Sequence, residues 1–170
     1  EGGVRQYLGS DGGYHDVPRA EGVVLLEDIK RRAQPVAKSA SAALWDIGDG
    51  VLCLEFTAKM NALDGEVASL IQQAIPLVQE QYKALVIYND GSNFSAGANL
   101  GLALFAVKAG AWGEIEKLIR GGQQAFKALK YAPFPVVSAP AGMALGGGCE
   151  VLLHSDAVQA HAESYIGLVE

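Results

Sequence analysis

The chain has 170 residues, of which 50% are hydrophobic and 19% are charged, and its formal net charge is −6. This length and composition are typical of one globular domain that buries a core of its own. The negative charge argues against a nucleic-acid partner, which would favour a basic face, and no apolar run reaches the ~20 residues of a membrane span.

Residues 1–41 differ in character from the rest of the chain. Glycines punctuate a polar stretch in which Asp11-Gly12 predicts a turn. A short helix is predicted over 28–34, and Pro35 is expected to end it. We interpret 1–41 as a connector from an upstream domain. Because the chain begins with Glu and has no basic-then-apolar leader, we expect a piece of a longer, cytoplasmic protein.

Residues 42–170 follow a more regular pattern, in which predicted strands alternate with predicted helices. This alternation predicts an α/β architecture. Pro76 lies inside one predicted helix and should kink or interrupt it. The predicted strands cover 43–47, 51–56, 84–88, 136–139 and 157–160, and the predicted helices cover 61–81, 100–107, 113–131 and 146–154.

The two cysteines, Cys53 and Cys149, lie far apart, and neither belongs to a Cys-x-x-Cys pair. This spacing argues against a zinc site or a redox motif, so we expect no metal and two buried thiols. His154 follows Glu150 by four residues on a predicted helix. A hydrogen bond between them is one interpretation, and a solvated or core histidine is the other.

Two loops that contain glycine precede predicted helices. In 93–100, small residues let a ligand approach the backbone closely. Each of the three glycines at 146–148 would destabilise a helix by up to ~1 kcal/mol. Their presence therefore suggests that another group approaches this backbone closely or that a residue here needs an unusual φ. If the loops meet, two backbone N–H groups could stabilise one developing oxyanion. The first loop also fits an ordinary strand-to-helix turn with Asn99 as its N-cap. The second also fits a flexible loop, with Glu150 favoured by the helix dipole in the first turn.

Glu150 and Glu170 are candidate acid and base groups. Two carboxylates that face one pocket can hold a water between them, and their proximity would separate their pKa values. The chain has 19 acidic residues, so spacing alone does not select this pair.

Four segments, in the right order, resemble motifs of the crotonase, or enoyl-CoA hydratase/isomerase, superfamily. The resemblance covers about 42–170 and makes accidental agreement hard to credit. The segments are 58–63 (AKMNAL), similar to [KR]-x-x-N-A-L; 94–100 (FSAGANL), similar to F-[SA]-A-G-A-D-[LI]; 139–150 (APAGMALGGGCE), similar to A-[VI]-x-G-x-A-x-G-G-G-x-E; and 165–170 (YIGLVE), similar to F-G-x-P-E.

The resemblance implies a fold and a set of site residues. The fold would be a spiral of ββα turns, and the oxyanion hole would use the backbone N–H groups of Ala98 and Gly147. Glu150 and Glu170 would act on one water that adds to a 2-enoyl-CoA. The expected contacts to the CoA portion are Ala58, Met60, Ala96 and Leu100.

Three positions depart from the family pattern. Asn99 replaces the usual Asp, Val169 the usual Pro, and Thr57 a common Pro. The variants look most like those of bacterial proteins that join a 3-hydroxyacyl-CoA dehydrogenase to a C-terminal hydratase domain. The family domain continues beyond the second glutamate, so we expect 42–170 to be its N-terminal part, truncated at the C-terminal side and inactive or weakly active alone.

The resemblance leaves three functions open. The first is hydration of a 2-enoyl-CoA thioester to a 3-hydroxyacyl-CoA in fatty-acid β-oxidation, which needs no cofactor; NAD would serve only an upstream dehydrogenase. The second is a Δ3-Δ2 enoyl-CoA isomerase, which can work with one carboxylate. The third is a non-catalytic CoA-thioester-binding module. We expect the intact protein to be a homo-oligomer.

Overall fold

A computed structural model describes residues 5–169. Its strands are Gln6–Leu8 (β1), Tyr14–Asp16 (β2), Ala37–Lys38 (β3), Ala42–Asp46 (β4), Val51–Phe56 (β5), Ala84–Ile87 (β6), Val136–Ser138 (β7), Met143–Leu145 (β8), Ala157–Val158 (β9) and Tyr165–Gly167 (β10). Its helices are Leu26–Arg32 (α1), Gly65–Gln81 (α2), Leu100–Lys108 (α3), Trp112–Lys130 (α4) and Gly147–Leu153 (α5), with a 3₁₀ turn at Lys59–Asn61.

A six-stranded sheet organises the fold, with the strand order β3-β4-β5-β6-β7-β9. The first two pairings are antiparallel and the other three are parallel. Strand β8 pairs in parallel with β10 in a second, two-stranded sheet, and β1 and β2 form a separate hairpin. Parallel neighbours need crossover connections, which α2 provides between β5 and β6. The predicted α/β architecture is confirmed.

The large sheet buries apolar side chains on both faces. Along β4, Leu44 joins the main core with α2 and α4, whereas Trp45 joins a smaller cluster with Leu26 and Ile29 of α1. This division follows from the alternation of side chains along a strand. Burying each large aliphatic side chain stabilises the fold by about 1.5–3 kcal/mol. Helix α2 contributes Val67, Leu70, Ile71, Ala74 and Val78 at helical spacing.

Helix α2 does not break at Pro76, contrary to the sequence-based prediction. Its N-cap is Asp64, whose carboxylate accepts hydrogen bonds from the N–H groups of Glu66 and Val67, and the helix continues unbroken from Gly65 to Gln81. Proline removes the hydrogen bond to the carbonyl four residues earlier, that of Gln72. Gln72 and Pro76 are both exposed. Solvent can therefore satisfy the released carbonyl.

Three features of the fold were not predicted from the sequence. Strands β8 and β10 are short, and their pairing brings residues 165–167 beside the loop that precedes α5. Within 5–41, β3 pairs with β4 and α1 packs on the sheet. The interpretation of 1–41 as a connector stays a prediction, but residues 26–38 pack on the sheet.

Between residues 5 and 169, no helix is both long and apolar enough to cross a membrane. The same stretch of chain contains no group of three or more His, Cys, Asp or Glu side chains suited to hold a metal ion.

Candidate active site

A cavity of about 370 Å³ lies between α2, α4 and the start of α5. Its walls are mostly apolar, the polar side chains among its lining residues are those of Asp64, Gln123 and Glu150, and Ala98 and Gly147 also border it. The lining residues are Leu63, Asp64, Val67, Ala68, Ile71, Ala98, Ala103, Ile115, Leu118, Ile119, Gly122, Gln123, Ala125, Phe126, Gly147 and Glu150.

The two glycine-containing loops meet at this cavity. The sequence alone did not decide whether they would meet. The Ser95 N–H donates to the Met143 carbonyl at 2.9 Å, and the Leu145 N–H donates back to the Ser95 carbonyl at 2.9 Å. Gly97 has a φ of +91°, and a Cβ there would lie 2.8 Å from the Leu145 carbonyl oxygen and 3.2 Å from the Gly147 nitrogen. Only glycine permits such an approach.

The backbone N–H groups of Ala98 and Gly147 are available to a ligand. Their neighbours are bound: the Gly97 N–H donates to the Ser95 hydroxyl at 3.1 Å, and the Asn99 N–H donates to the Leu63 carbonyl at 2.9 Å. Within 5–169, neither Ala98 nor Gly147 donates a backbone hydrogen bond. A Cβ on Gly147 would lie 3.6 Å from the Ala98 nitrogen, so the two donors border the same space.

Glu150 projects from the first turn of α5 and is half-buried at the cavity border. No hydrogen bond to its carboxylate is formed by the residues that the structure describes, which leaves its oxygens open to water or substrate. His154 does not bond this carboxylate. Its Nδ1 lies 2.7 Å from the Glu150 backbone carbonyl, and its ring stacks on Phe126 at 5.4 Å, so it terminates the helix.

The predicted second glutamate, Glu170, lies outside the described residues. The chain that leads to it is described. The Gly146 N–H donates to the Gly167 carbonyl at 2.9 Å, and the Val169 carbonyl lies 3.9 Å from the Cβ position of Gly146. Residues 167–169 therefore run beside the loop that carries Gly147.

Two of the four predicted CoA contacts lie together. The Ala96 N–H donates to the Met60 carbonyl at 3.1 Å, and both residues are exposed. Ala58 begins the same 3₁₀ turn that contains Met60, and its carbonyl accepts the Asn61 N–H at 2.8 Å. Leu100 is 75% exposed at the start of α3 and does not line the cavity. The roles of all four stay predictions.

Helix α4 forms much of the cavity wall, which the sequence did not indicate. Of residues 102–111, which cover most of α3 and the turn before α4, only Ala103 lines the cavity. Ile115, Leu118 and Phe126 line it from α4 instead. Their three- and four-residue spacing predicted a helix with an apolar face, but it did not reveal that this face borders a cavity.

Neither cysteine is suited to act as a nucleophile. Both thiols are buried, as predicted. Burial, and then the nearby Glu55 carboxylate, raise the pKa of Cys53 to about 12. Burial, and then Glu150, also raise the pKa of Cys149. Reactive cysteines have the opposite property, a lowered pKa.

The sequence matches the model of the enoyl-CoA hydratase/isomerase family over residues 46–170. The chain belongs to this family. The predicted resemblance is confirmed.

Relatives of known name agree with this assignment. The chain is 39% identical over 159 residues to a protein of Bacillus subtilis named "Probable 3-hydroxyacyl-CoA dehydrogenase", an alignment that covers 94% of this chain and 20% of that protein. It is 40% identical over 144 residues to a protein of Rickettsia felis named as a fatty acid oxidation complex trifunctional enzyme, covering 85% of this chain and 20% of that protein. The chain thus spans about a fifth of the length of these curated relatives.

Solved structures confirm the crotonase-type fold. An enoyl-CoA hydratase from Polaromonas sp. superposes with a TM-score of 0.67 and 26% identity, covering 72% of this chain and 49% of the hydratase. A second structure, of an enoyl-CoA hydratase from Streptomyces coelicolor, has a TM-score of 0.67 at 24% identity. The chain therefore spans about half of these domains.

Proposed function

We propose that this chain carries the water-adding site of an enoyl-CoA hydratase that converts 2-enoyl-CoA thioesters to 3-hydroxyacyl-CoA in fatty-acid β-oxidation. One observation supports this most directly. Among residues 5–169, the N–H groups of Ala98 and Gly147 and the carboxylate of Glu150 have no hydrogen-bond partner, and all three residues border the same apolar cavity.

The two N–H groups would act on the thioester carbonyl. When water attacks the β-carbon, negative charge moves to the thioester oxygen and forms an enolate. Hydrogen bonds from Ala98 and Gly147 to that oxygen become stronger as the charge develops, which stabilises the transition state by about 3–4 kcal/mol per donor. Such donors serve the reaction because they bind the transition state better than the substrate.

Glu150 and Glu170 would move the protons. One carboxylate accepts a proton from the water as its oxygen bonds to the β-carbon. The other, protonated, donates to the α-carbon as the enolate collapses. Overall, one water is consumed, and no electrons are transferred to or from a cofactor.

The apolar walls would hold the acyl chain. Val67 and Ile71 of α2 line the cavity together with Leu118 and Phe126 of α4. Ligand pockets of this size are lined mostly by apolar side chains, which bind the apolar part of the ligand, and by a few polar groups, which fix its orientation. Ala58, Met60, Ala96 and Leu100 would contact the CoA portion. Met60, Ala96 and Leu100 are exposed, which suits contact with a large, charged nucleotide.

We propose no cofactor for hydration, with NAD required only by a dehydrogenase domain upstream in the same polypeptide. The name of the Bacillus subtilis relative supports such an arrangement. The intact protein would be a cytoplasmic homo-oligomer without a nucleic-acid partner.

Hydration of crotonyl-CoA by the full-length protein tests the proposal. The reaction is followed by the loss of the absorbance of the conjugated enoyl thioester. Glu150→Gln and Glu170→Gln should each lower kcat by about 10²–10⁴, the usual contribution of an acid–base group. Glu163→Gln is the matched control, because Glu163 is an exposed acid that does not line the cavity.

Each other outcome points to a different function. Full hydratase activity in Glu170→Gln would contradict the two-carboxylate mechanism and favour the isomerase, which is then measured with a 3-enoyl-CoA. Tight binding of acyl-CoA without turnover by the unaltered protein would favour the non-catalytic module.

A further inference from the structure

Three polar side chains join the two chain segments that carry the predicted site. The first segment, 56–63, contains Met60 of the predicted CoA contacts. The second, 89–99, contains Ala98 of the predicted oxyanion hole. The joining side chains are Asn61, Asn89 and Ser95, which we name the amide–hydroxyl clamp.

Asn89 joins the starts of both segments. Asn89 is buried, with 4% of its surface exposed. Its Oδ1 accepts the Phe56 N–H at 2.5 Å, and its Nδ2 donates to the Phe94 carbonyl at 2.6 Å. One amide group therefore links the last residue of β5 to the residue before Ser95. Buried bonds of this kind leave costly unpaired groups when either partner is removed.

Ser95 and Asn61 join the segments a second time. Ser95 is completely buried, and its hydroxyl donates to the Asn61 carbonyl at 2.7 Å while it accepts the Gly97 N–H at 3.1 Å. The Asn61 Nδ2 donates to the Asn93 carbonyl at 2.8 Å. The conformation of Gly97, and with it the direction of the following N–H of Ala98, is thus tied to Asn61.

The clamped turn has an unusual backbone. Met60 and Asn61 have φ values of 58° and 50°, in the left-handed region. A residue other than glycine in that region costs about 1–3 kcal/mol and persists only where its surroundings hold it. The hydrogen bonds made by the backbone carbonyl and the side-chain amide of Asn61 hold the turn in this conformation. The turn places the Met60 carbonyl against the Ala96 N–H.

We propose that the amide–hydroxyl clamp couples the CoA-binding segment to the oxyanion donor, so that engagement of the nucleotide portion at Met60 and Ala96 sets the position of the Ala98 N–H. Asn61, Asn89 and Ser95 are positioning residues, because none of them touches the reacting atoms. This inference rests on the proposed function.

The coupling has a specific kinetic consequence. Binding energy from a remote part of a substrate can appear in kcat when it helps to orient the reacting groups. A misplacement of about 1 Å at the site can cost about a hundredfold in rate. A loosened clamp therefore reduces kcat, and it also reduces the advantage that a full CoA thioester has over a thioester without the nucleotide.

The test uses the full-length protein and two substrates, crotonyl-CoA and crotonyl-pantetheine, which lacks the nucleotide. The main variant is Asn89→Ala. Its matched control is Asn93→Ala, which removes the same type of side chain from the same loop. Among the described residues, the half-buried Asn93 side chain bonds only the Ser92 hydroxyl, at 3.2 Å, and the substitution keeps the Asn93 carbonyl that accepts the Asn61 side-chain amide. Ser95→Ala is a milder clamp variant if Asn89→Ala does not fold.

A second control separates positioning from stability. Ser138 is as buried as Ser95, and within 5–169 its hydroxyl bonds only to that of Ser155, at 2.7 Å. Ser138→Ala removes a buried hydroxyl from β7 without touching either site segment. Melting temperatures of all variants are recorded beside kcat and KM.

We expect Asn89→Ala to lower kcat on crotonyl-CoA by about tenfold to a hundredfold with a KM within threefold, and to lower kcat on crotonyl-pantetheine much less. Asn93→Ala and Ser138→Ala should keep kcat. A folded Asn89→Ala protein with unchanged kcat, or an equal loss on both substrates, overturns the coupling.

Failure of the proposed function would be visible separately, as an unaltered protein that turns over neither substrate. The clamp is then judged by amide hydrogen exchange. Faster exchange over 95–99 in Asn89→Ala than in Asn93→Ala supports it, and equal exchange overturns it.

Discussion

The ammonium group of Lys30 lies 2.6 Å from Oε1 of Glu55, a side chain that is 3% exposed. The other carboxylate oxygen accepts the indole N–H of Trp45 at 2.9 Å. Lys30 also lies 3.3 Å from Asp90. A carboxylate within the sheet is therefore neutralised by a cation from α1, outside the part of the chain that matches the family model.

Loss of Lys30 should destabilise the protein strongly. Lys30→Met leaves Glu55 buried without a counter-charge, which costs about 3–5 kcal/mol of unfolding free energy in comparable cases. Urea unfolding measures it. The matched control is Arg31→Met, which breaks only the exposed pair with Glu27 and should cost under ~1 kcal/mol.

The double variant Lys30→Met/Glu55→Gln checks the cause. It should regain much of the stability that Lys30→Met loses, because the amide carries no charge. An unaltered loss in the double variant would show that packing of α1, and not the charge of Glu55, is responsible.

Stability should fall in alkaline solution. Burial raises the pKa of Cys53 from its usual 9.0 to about 12. As pH rises through this range the unfolded chain releases the proton first, so the folded state loses stability. Burial lowers the pKa of Lys30, but Glu55 and Asp90 outweigh it and raise the net value, so the stabilising charge is present below the usual 10.5 and is lost above it.

Urea unfolding of the unaltered protein and of Cys53→Ala, at about pH 7, about pH 9 and about pH 10.5, measures this dependence. Cys53→Ala should be less stable at neutral pH, because it loses buried volume, but its stability should fall less between the two alkaline points. Parallel curves for the two proteins would exclude Cys53 as the cause.

Gly147→Ala should impair catalysis without unfolding the protein. The added Cβ would lie 3.1 Å from a methyl group of Leu63, which can move, and 3.6 Å from the Ala98 nitrogen. It would occupy space beside the two proposed donors. We expect kcat/KM on crotonyl-CoA to fall about tenfold to a hundredfold, as when one oxyanion donor is weakened.

Gly65→Ala is the matched control for that change. Gly65 is also the first residue of a helix, and a Cβ there meets nothing within 4 Å. Its activity should be unchanged. Equal activity of the two variants would argue against an oxyanion role for Gly147.

Gly121→Ala should stabilise the protein. Gly121 lies inside α4, and an added Cβ meets nothing within 4 Å. Alanine in a helix interior is favoured over glycine by about 0.5–1 kcal/mol. Gly110→Ala should have the opposite sign, because Gly110 has a φ of +67°. Thermal unfolding compares them, and destabilisation by both would contradict this account of α4.

The sequence predicted the regular elements because their signal is local. Periodicity placed β5 at its observed bounds and α4 within one residue of them. Strands β8 and β10 were not predicted because a strand of three residues is too short to show a periodic pattern of apolar residues. Their pairing also depends on contacts between residues more than twenty positions apart in the sequence. The predicted kink or interruption at Pro76 was wrong because the effect of a proline depends on whether solvent reaches the carbonyl that it leaves unpaired. The helical pattern alone did not show that exposure.

The site was predictable only in part. Motif resemblance placed Ala98, Gly147 and Glu150 in one site, and the structure brings these three together. The contribution of α4 and the pairing of Lys30 with Glu55 were not predicted. Both depend on which surfaces meet in three dimensions, and a lysine in a polar stretch looks like any solvated lysine.

The position of β3 has a practical consequence for anyone who excises this domain. Ala37 and Lys38 cover part of the outer edge of β4, and α1 covers Trp45 and Cys53. A domain cut at residue 42 would carry an unpaired strand edge beside an uncovered apolar surface. Such edges recruit strands from other molecules. Aggregation during purification would then result from the choice of boundary, and starting before Leu26 avoids it.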